Sequence, residues 1–129
     1  MSKVFVYGSL MSGLHNNHCL RGATLLREAT TAGKFSMFSI GTFPMVIEED
    51  EWSTVVGEVW EVDDRTLSIL DQLEGVDSGF YERIDVLDDH NELCWMYIGA
   101  DPSFCESRPR VANNDWREYC IQRKRSVAN

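Results

Sequence analysis

Leu93-Cys94-Trp95-Met96-Tyr97-Ile98 has no polar face. A strand lying between core and water carries polar residues at every second position, so this run reads as a strand buried on both sides. An open sheet with one wet face does not bury such a strand. The expected architecture is therefore α+β: a small mixed β-barrel, closed or nearly closed, with short flanking helices.

The flanking sequence supplies the other strands. Residues 81–87 read as a strand that pairs with 93–98 through the turn Asp88, Asp89, His90, Asn91. Lys3, Val4, Phe5, Val6 and Tyr7 form a β-branched and aromatic run that stops at Gly8, as expected of a first buried strand. Residues 8–13 follow as a loop whose glycines allow main-chain amides to approach a ligand. Residues 23–40 read as two strands about a turn at Ala32, Gly33 and Lys34. Met45, Val46 and Ile47 form a short strand after the bend at residues 41–44. In residues 52–62, Val56, Glu58, Trp60 and Val62 share one face, and Gly57 predicts a bend, a bulge or a close neighbour. Residues 99–109 read as loop. Asn114 is expected to cap a last helix over 115–124, with Trp116, Tyr119 and Cys120 inward and the Arg123, Lys124, Arg125 cluster at its C-terminal end.

Composition bounds the rest. The 129 residues make a single domain, 1–129, with 43% hydrophobic and 26% charged residues, as in ordinary globular chains. No apolar run approaches the roughly 20 residues of a membrane span, and no signal-like segment opens the chain, so a cytoplasmic protein is expected. A net charge of -9 disfavours nucleic acid. The same charge suits a basic protein partner without naming one. Cys19, Cys94, Cys105 and Cys120 are too widely spaced for a zinc site and are expected as reduced thiols.

One carboxylate breaks its own pattern. Asp63 or Asp64 caps a helix that ends near Gly75, and Leu67, Leu70 and Glu74 fall on one face. Glu74 is thus turned toward the core. Partial burial and the negative end of the helix dipole both disfavour its ionised form. A raised pKa of this kind suits a general acid/base, in contrast to an ordinary solvated acid beside a glycine cap.

Several strings now converge. Val4-Phe5-Val6-Tyr7-Gly8-Ser9-Leu10, then Gly57-Glu58-Val59, then Leu70-Asp71-Gln72-Leu73-Glu74-Gly75 followed by Tyr81-Glu82-Arg83, resemble the gamma-glutamyl cyclotransferase-like family over residues 3–98. That resemblance implies a small fold built around a β-barrel with a substrate cavity at one end. It also implies cyclisation of a gamma-glutamyl group to 5-oxoproline with release of the attached amine. Glu74 matches the catalytic acid/base, and Tyr7, Gly8, Ser9 and Leu10 match the loop that cradles the gamma-glutamyl group. Tyr81 matches a pocket tyrosine, and Tyr97 is expected to line the same pocket. The reaction calls for no metal and no cofactor. The alternative is a non-catalytic binding or partner-modulating protein that uses the same pocket, because a fold does not guarantee turnover.

Other residues carry weaker signals. His15, His18 and Cys19 lack a fourth ligand at a credible spacing, and the acidic loop at residues 48–51 lacks the spacing of a calcium motif. Ser9 has no nucleophile elbow around it and reads as a hydrogen-bond donor. Trp52, Trp60, Trp95 and Trp116 read as core or rim packing.

Overall fold

In the computed structural model, which describes residues 1–49 and 53–128, Leu93–Gly99 is a strand inside a five-stranded sheet. The elements are β1 (Ser2–Val6), β2 (Thr24–Thr30), β3 (Phe35–Ser39), β4 (Pro44–Glu48), β5 (Val56–Val62), α1 (Asp64–Leu73), β6 (Tyr81–Leu87), β7 (Leu93–Gly99) and α2 (Trp116–Ala128). Strand order is β2-β5-β1-β7-β6, antiparallel except where β1 runs parallel to β7 with Val4 opposite Trp95. β3 and β4 form a separate hairpin, and β4 packs on β7.

The expected barrel is corrected to an open sheet: among the described residues no sheet closes. The edge strands β2 and β6 meet only at one corner, where Thr31 bridges Asp88 and the Ala32 N–H donates to the Leu87 carbonyl at 2.8 Å. Burial of β7 comes from elements laid across the sheet. The Tyr97 hydroxyl reaches Asp71 of α1 at 2.7 Å, and β4 crosses so close to the strand end that a Cβ on Gly99 would lie 2.5 Å from Met45 Sδ. Leu93, at the strand start, is exposed.

Local chemistry explains the helix ends. The Asp63 carboxylate accepts from the Thr66 N–H at 2.7 Å and caps α1. At the other end Gly75 takes φ +66°, with Val76 N–H donating to Asp71 O and Gly75 N–H to Gln72 O, both at 3.1 Å. This paired closure satisfies carbonyls that the helix leaves open, and it needs a residue at ease with positive φ. Leu70 anchors the helix face in the core, which it shares with Val4, Phe5, Val59, Val62 and Met96.

The cap of α2 is a second correction. Asn114 is buried, and its side chain accepts from the Met37 N–H at 2.9 Å while donating to the carbonyls of Phe35 and Thr54, each at 3.0 Å. It ties β3 to the segment before β5. Asp115 caps the helix in its place, accepting from the Glu118 N–H at 3.1 Å. Trp116 is buried, with Tyr119 stacked on it and Cys120 half-buried beside the core.

The strand expected from residue 52 begins at Val56. Trp52, and Asp50 and Glu51 of the acidic loop, lie outside the described residues. Gly57 has a close neighbour: a Cβ there would sit 2.2 Å from the Val6 carbonyl oxygen. All four cysteines are free thiols, Cys94 and Cys105 buried and Cys19 and Cys120 half-buried. No helix among the described residues is long and apolar enough to cross a membrane.

Candidate active site

A cavity of about 540 Å³ opens between the loop after β1, the β3–β4 turn and the end of α1. Tyr7, Gly8, Ser9, Leu10, Glu74, Tyr81 and Tyr97 all line it. The residues singled out from sequence are therefore brought to one place from four separate parts of the chain.

In the loop after β1, the carbonyl oxygens are occupied. Gly8 O accepts from the Met11 N–H at 3.1 Å, Ser9 O from the Asn16 N–H at 2.8 Å, and Leu10 O from Asn17 Nδ2 at 2.9 Å. The Ser9 hydroxyl accepts from Asn16 Nδ2 at 2.9 Å. Among the described residues, the N–H groups of Gly8, Ser9 and Leu10 have no acceptor. Consecutive free amides on a cavity wall are suited to an anion or a polarised carbonyl oxygen. Gly8 also has no space for a side chain, because a Cβ would lie 2.9 Å from Pro44 Cγ.

Glu74 forms the C-cap of α1, its N–H bonded to Leu70 O at 2.9 Å. Burial pushes its carboxyl from 4.5 up to about 7. At neutral pH it is therefore populated in both protonation states, as proton relay requires.

The three phenols are held neutral, and burial is the leading reason for each raised pKa. Each also spends its proton on the protein. Tyr7 donates to Tyr97 O at 2.6 Å, Tyr81 to Pro44 O at 2.7 Å, and Tyr97 to Asp71 Oδ1 at 2.7 Å. Their oxygens are left as acceptors, which suits a cationic or N–H-bearing ligand. Asp71 is in turn 3.6 Å from Arg83, whose guanidinium lies 4.4 Å from the Trp95 ring centroid.

Sequence reasoning missed several of these residues. Asp71 carried a usable signal, since it lies three positions before Glu74 on the helix. Pro44, Phe43, Phe80 and Asn16 carried none, because each reaches the cavity through tertiary packing. His15 lines the cavity and His18 does not. Among the described residues, no three His, Cys, Asp or Glu side chains gather as a metal site. Glu49 of the acidic loop accepts from the Ser36 hydroxyl at 2.9 Å and pairs with Arg110 at 3.4 Å.

Comparison with known proteins adds to this geometry. Residues 4–118 match the family described as gamma-glutamyl cyclotransferase, AIG2-like. A Methanocaldococcus jannaschii protein, a candidate gamma-glutamylcyclotransferase by its name, is 36% identical over 124 residues, covering 92% of this chain and 98% of its own. The gamma-L-glutamyl-butirosin B gamma-glutamyl cyclotransferase of Niallia circulans is 32% identical over 132 residues, covering 95% of this chain and 80% of its own. In fold, an AIG2-like protein from Mus musculus superposes with a TM-score of 0.76 at 23% identity, covering 89% of this chain and 88% of that one.

Proposed function

The chain belongs to the gamma-glutamyl cyclotransferase, AIG2-like family, and from that premise we propose that it converts a gamma-glutamyl amine or gamma-glutamyl amino acid to 5-oxoproline and the free amine, with Glu74 as general acid/base. The observation that carries this reading is a carboxyl group poised near pH 7 that lines the same cavity as a loop with three free main-chain N–H groups.

The chemistry follows from those parts. The substrate's α-nitrogen enters as an ammonium, loses a proton to Glu74 and attacks the gamma-carbonyl carbon, closing a five-membered ring. Negative charge collects on the carbonyl oxygen, where the N–H groups of Gly8, Ser9 and Leu10 are suited to receive it. Collapse breaks the bond to the departing nitrogen, which takes its proton from Glu74. In all, the α-nitrogen sheds two protons and the departing nitrogen gains two, leaving as an ammonium. No water is added across either bond. The ring closure is intramolecular, so holding the substrate curled does much of the work. The phenol oxygens of Tyr7, Tyr81 and Tyr97 are suited to orient the α-ammonium.

A panel of a gamma-glutamyl amino acid, the isopeptide to lysine and glutathione, assayed for 5-oxoproline, tests this. Release from at least one compound is expected. Binding without release across the panel would instead identify a non-catalytic binding protein.

A further inference from the structure

The cavity has two chemically different ends. Tyr7, Tyr81 and Tyr97 are 7%, 4% and 3% exposed, whereas Phe43 and Leu73 on the same cavity are 36% and 45% exposed. The phenols therefore form the floor, and Phe43 and Leu73 form the mouth. Phe80 joins them, edge-on to Tyr81 at 5.0 Å and to Phe43 at 6.3 Å. Among the described residues no lysine or arginine lines the cavity, and Glu74 is its one acid. His15, which is exposed, also lines the cavity, next to Asn16, whose main-chain and side-chain N–H groups bond to Ser9.

Resting on the cyclotransferase reading, we propose that this mouth selects a leaving amine with an uncharged apolar stem over one bearing a carboxylate, and that Phe43 and Phe80 determine the preference. With the gamma-glutamyl group against the amide loop, the substituent on the departing nitrogen extends outward between Phe43, Phe80 and Leu73. Aromatic walls favour an apolar stem. A carboxylate there loses hydration with no lysine or arginine to pair with it, a penalty that does not depend on the charge of Glu74.

The test uses gamma-glutamyl-phenethylamine and gamma-glutamyl-phenylalanine, which differ by one carboxylate. Binding to the full chain carrying Glu74→Gln is measured by calorimetry, so that it is read without turnover. The amine compound is expected to bind at least about tenfold more tightly. In the same background Phe43→Ala is expected to cut its advantage over gamma-glutamyl-methylamine by about tenfold, and Phe43→Leu to retain most of it. Equal or tighter binding of the phenylalanine compound, binding of neither, or a Phe43→Ala effect equal for both amines would overturn the proposal. Wild-type turnover of the same compounds reports separately on the reaction. Preference without 5-oxoproline refutes the cyclisation, and 5-oxoproline without preference refutes the selectivity.

Discussion

Glu58 on β5 accepts a 2.8 Å hydrogen bond from the main-chain N–H of Ser12, 46 residues away in sequence. Its carboxylate also accepts from Trp60 Nε1 at 3.1 Å and from Arg117 at 3.3 Å, and Arg117 donates to Ser12 O at 2.8 Å. The loop that presents free amides to the cavity is thus held from behind by a buried, paired charge. Glu58→Ala is expected to cost about 3–5 kcal/mol by stranding Arg117 and Trp60. Glu58→Gln keeps an acceptor for Ser12 and is expected to cost about 2 kcal/mol while raising KM. Urea unfolding of both variants, with KM for the Gln variant, checks this; unchanged stability in the Ala variant would contradict it.

At the corner where the sheet edges meet, Asp88 is buried and accepts from Arg27 and from the N–H groups of His90 and Glu92 at 2.8 and 2.9 Å. Burial alone would raise its pKa, but the Glu92 and His90 N–H bonds and Arg27 outweigh it and hold the carboxyl below 3.8. A depressed folded-state pKa stabilises the fold above the ordinary carboxylate range, and that contribution is lost as pH falls through the folded value. Asp88→Asn is therefore expected to lose about 3 kcal/mol at pH 7, with the deficit shrinking as pH drops below about 4. Thermal melts across that range measure it.

Gly8 faces Pro44, whose carbonyl holds Tyr81. Gly8→Ala is expected to push the proline ring and disturb that phenol, raising KM about tenfold or more with a stability loss of about 1–3 kcal/mol. A kinetic series with Gly8→Val, which fills more of the cavity, is expected to abolish binding; unaltered binding would place the ligand elsewhere.

Glu74 has the opposite linkage to Asp88. Its folded-state pKa is raised from 4.5 to about 7, so its contribution to stability is complete below about 4.5 and is lost as pH rises through about 7. Glu74→Gln stays neutral throughout. The variant is expected to exceed wild type by roughly 1–2 kcal/mol at pH 8, allowing for solvent at a half-buried carboxyl, and to match it near pH 4.5. Melts at the two pH values decide the sign.

Features set by neighbours in sequence were legible: the Asp63 cap, the Gly75 closure and the inward turn of Glu74 are local chemistry. The gathering of Tyr7, Glu74 and Tyr81 followed from the order of short strings rather than from periodicity. Asn114 was misread because its partners are Phe35, Met37, Ser53 and Thr54, none of them near it in sequence. The barrel failed for a similar reason. An apolar strand reports that both faces are covered, and it is silent on whether the cover is a closed sheet or, as here, a hairpin and a helix laid across an open one. Pro44 and Phe43 reach the cavity only because β4 crosses β7.

The central claim is that the Glu74 carboxyl relays the proton in cyclisation. It is tested most directly by 5-oxoproline release from a gamma-glutamyl amine by wild type and Glu74→Gln between about pH 5 and pH 9. The wild-type rate is predicted to rise through a midpoint of about 7, with the Gln variant folded, able to bind substrate and slower by about 10²–10⁴-fold. A Gln variant that releases 5-oxoproline at the wild-type rate would contradict the claim.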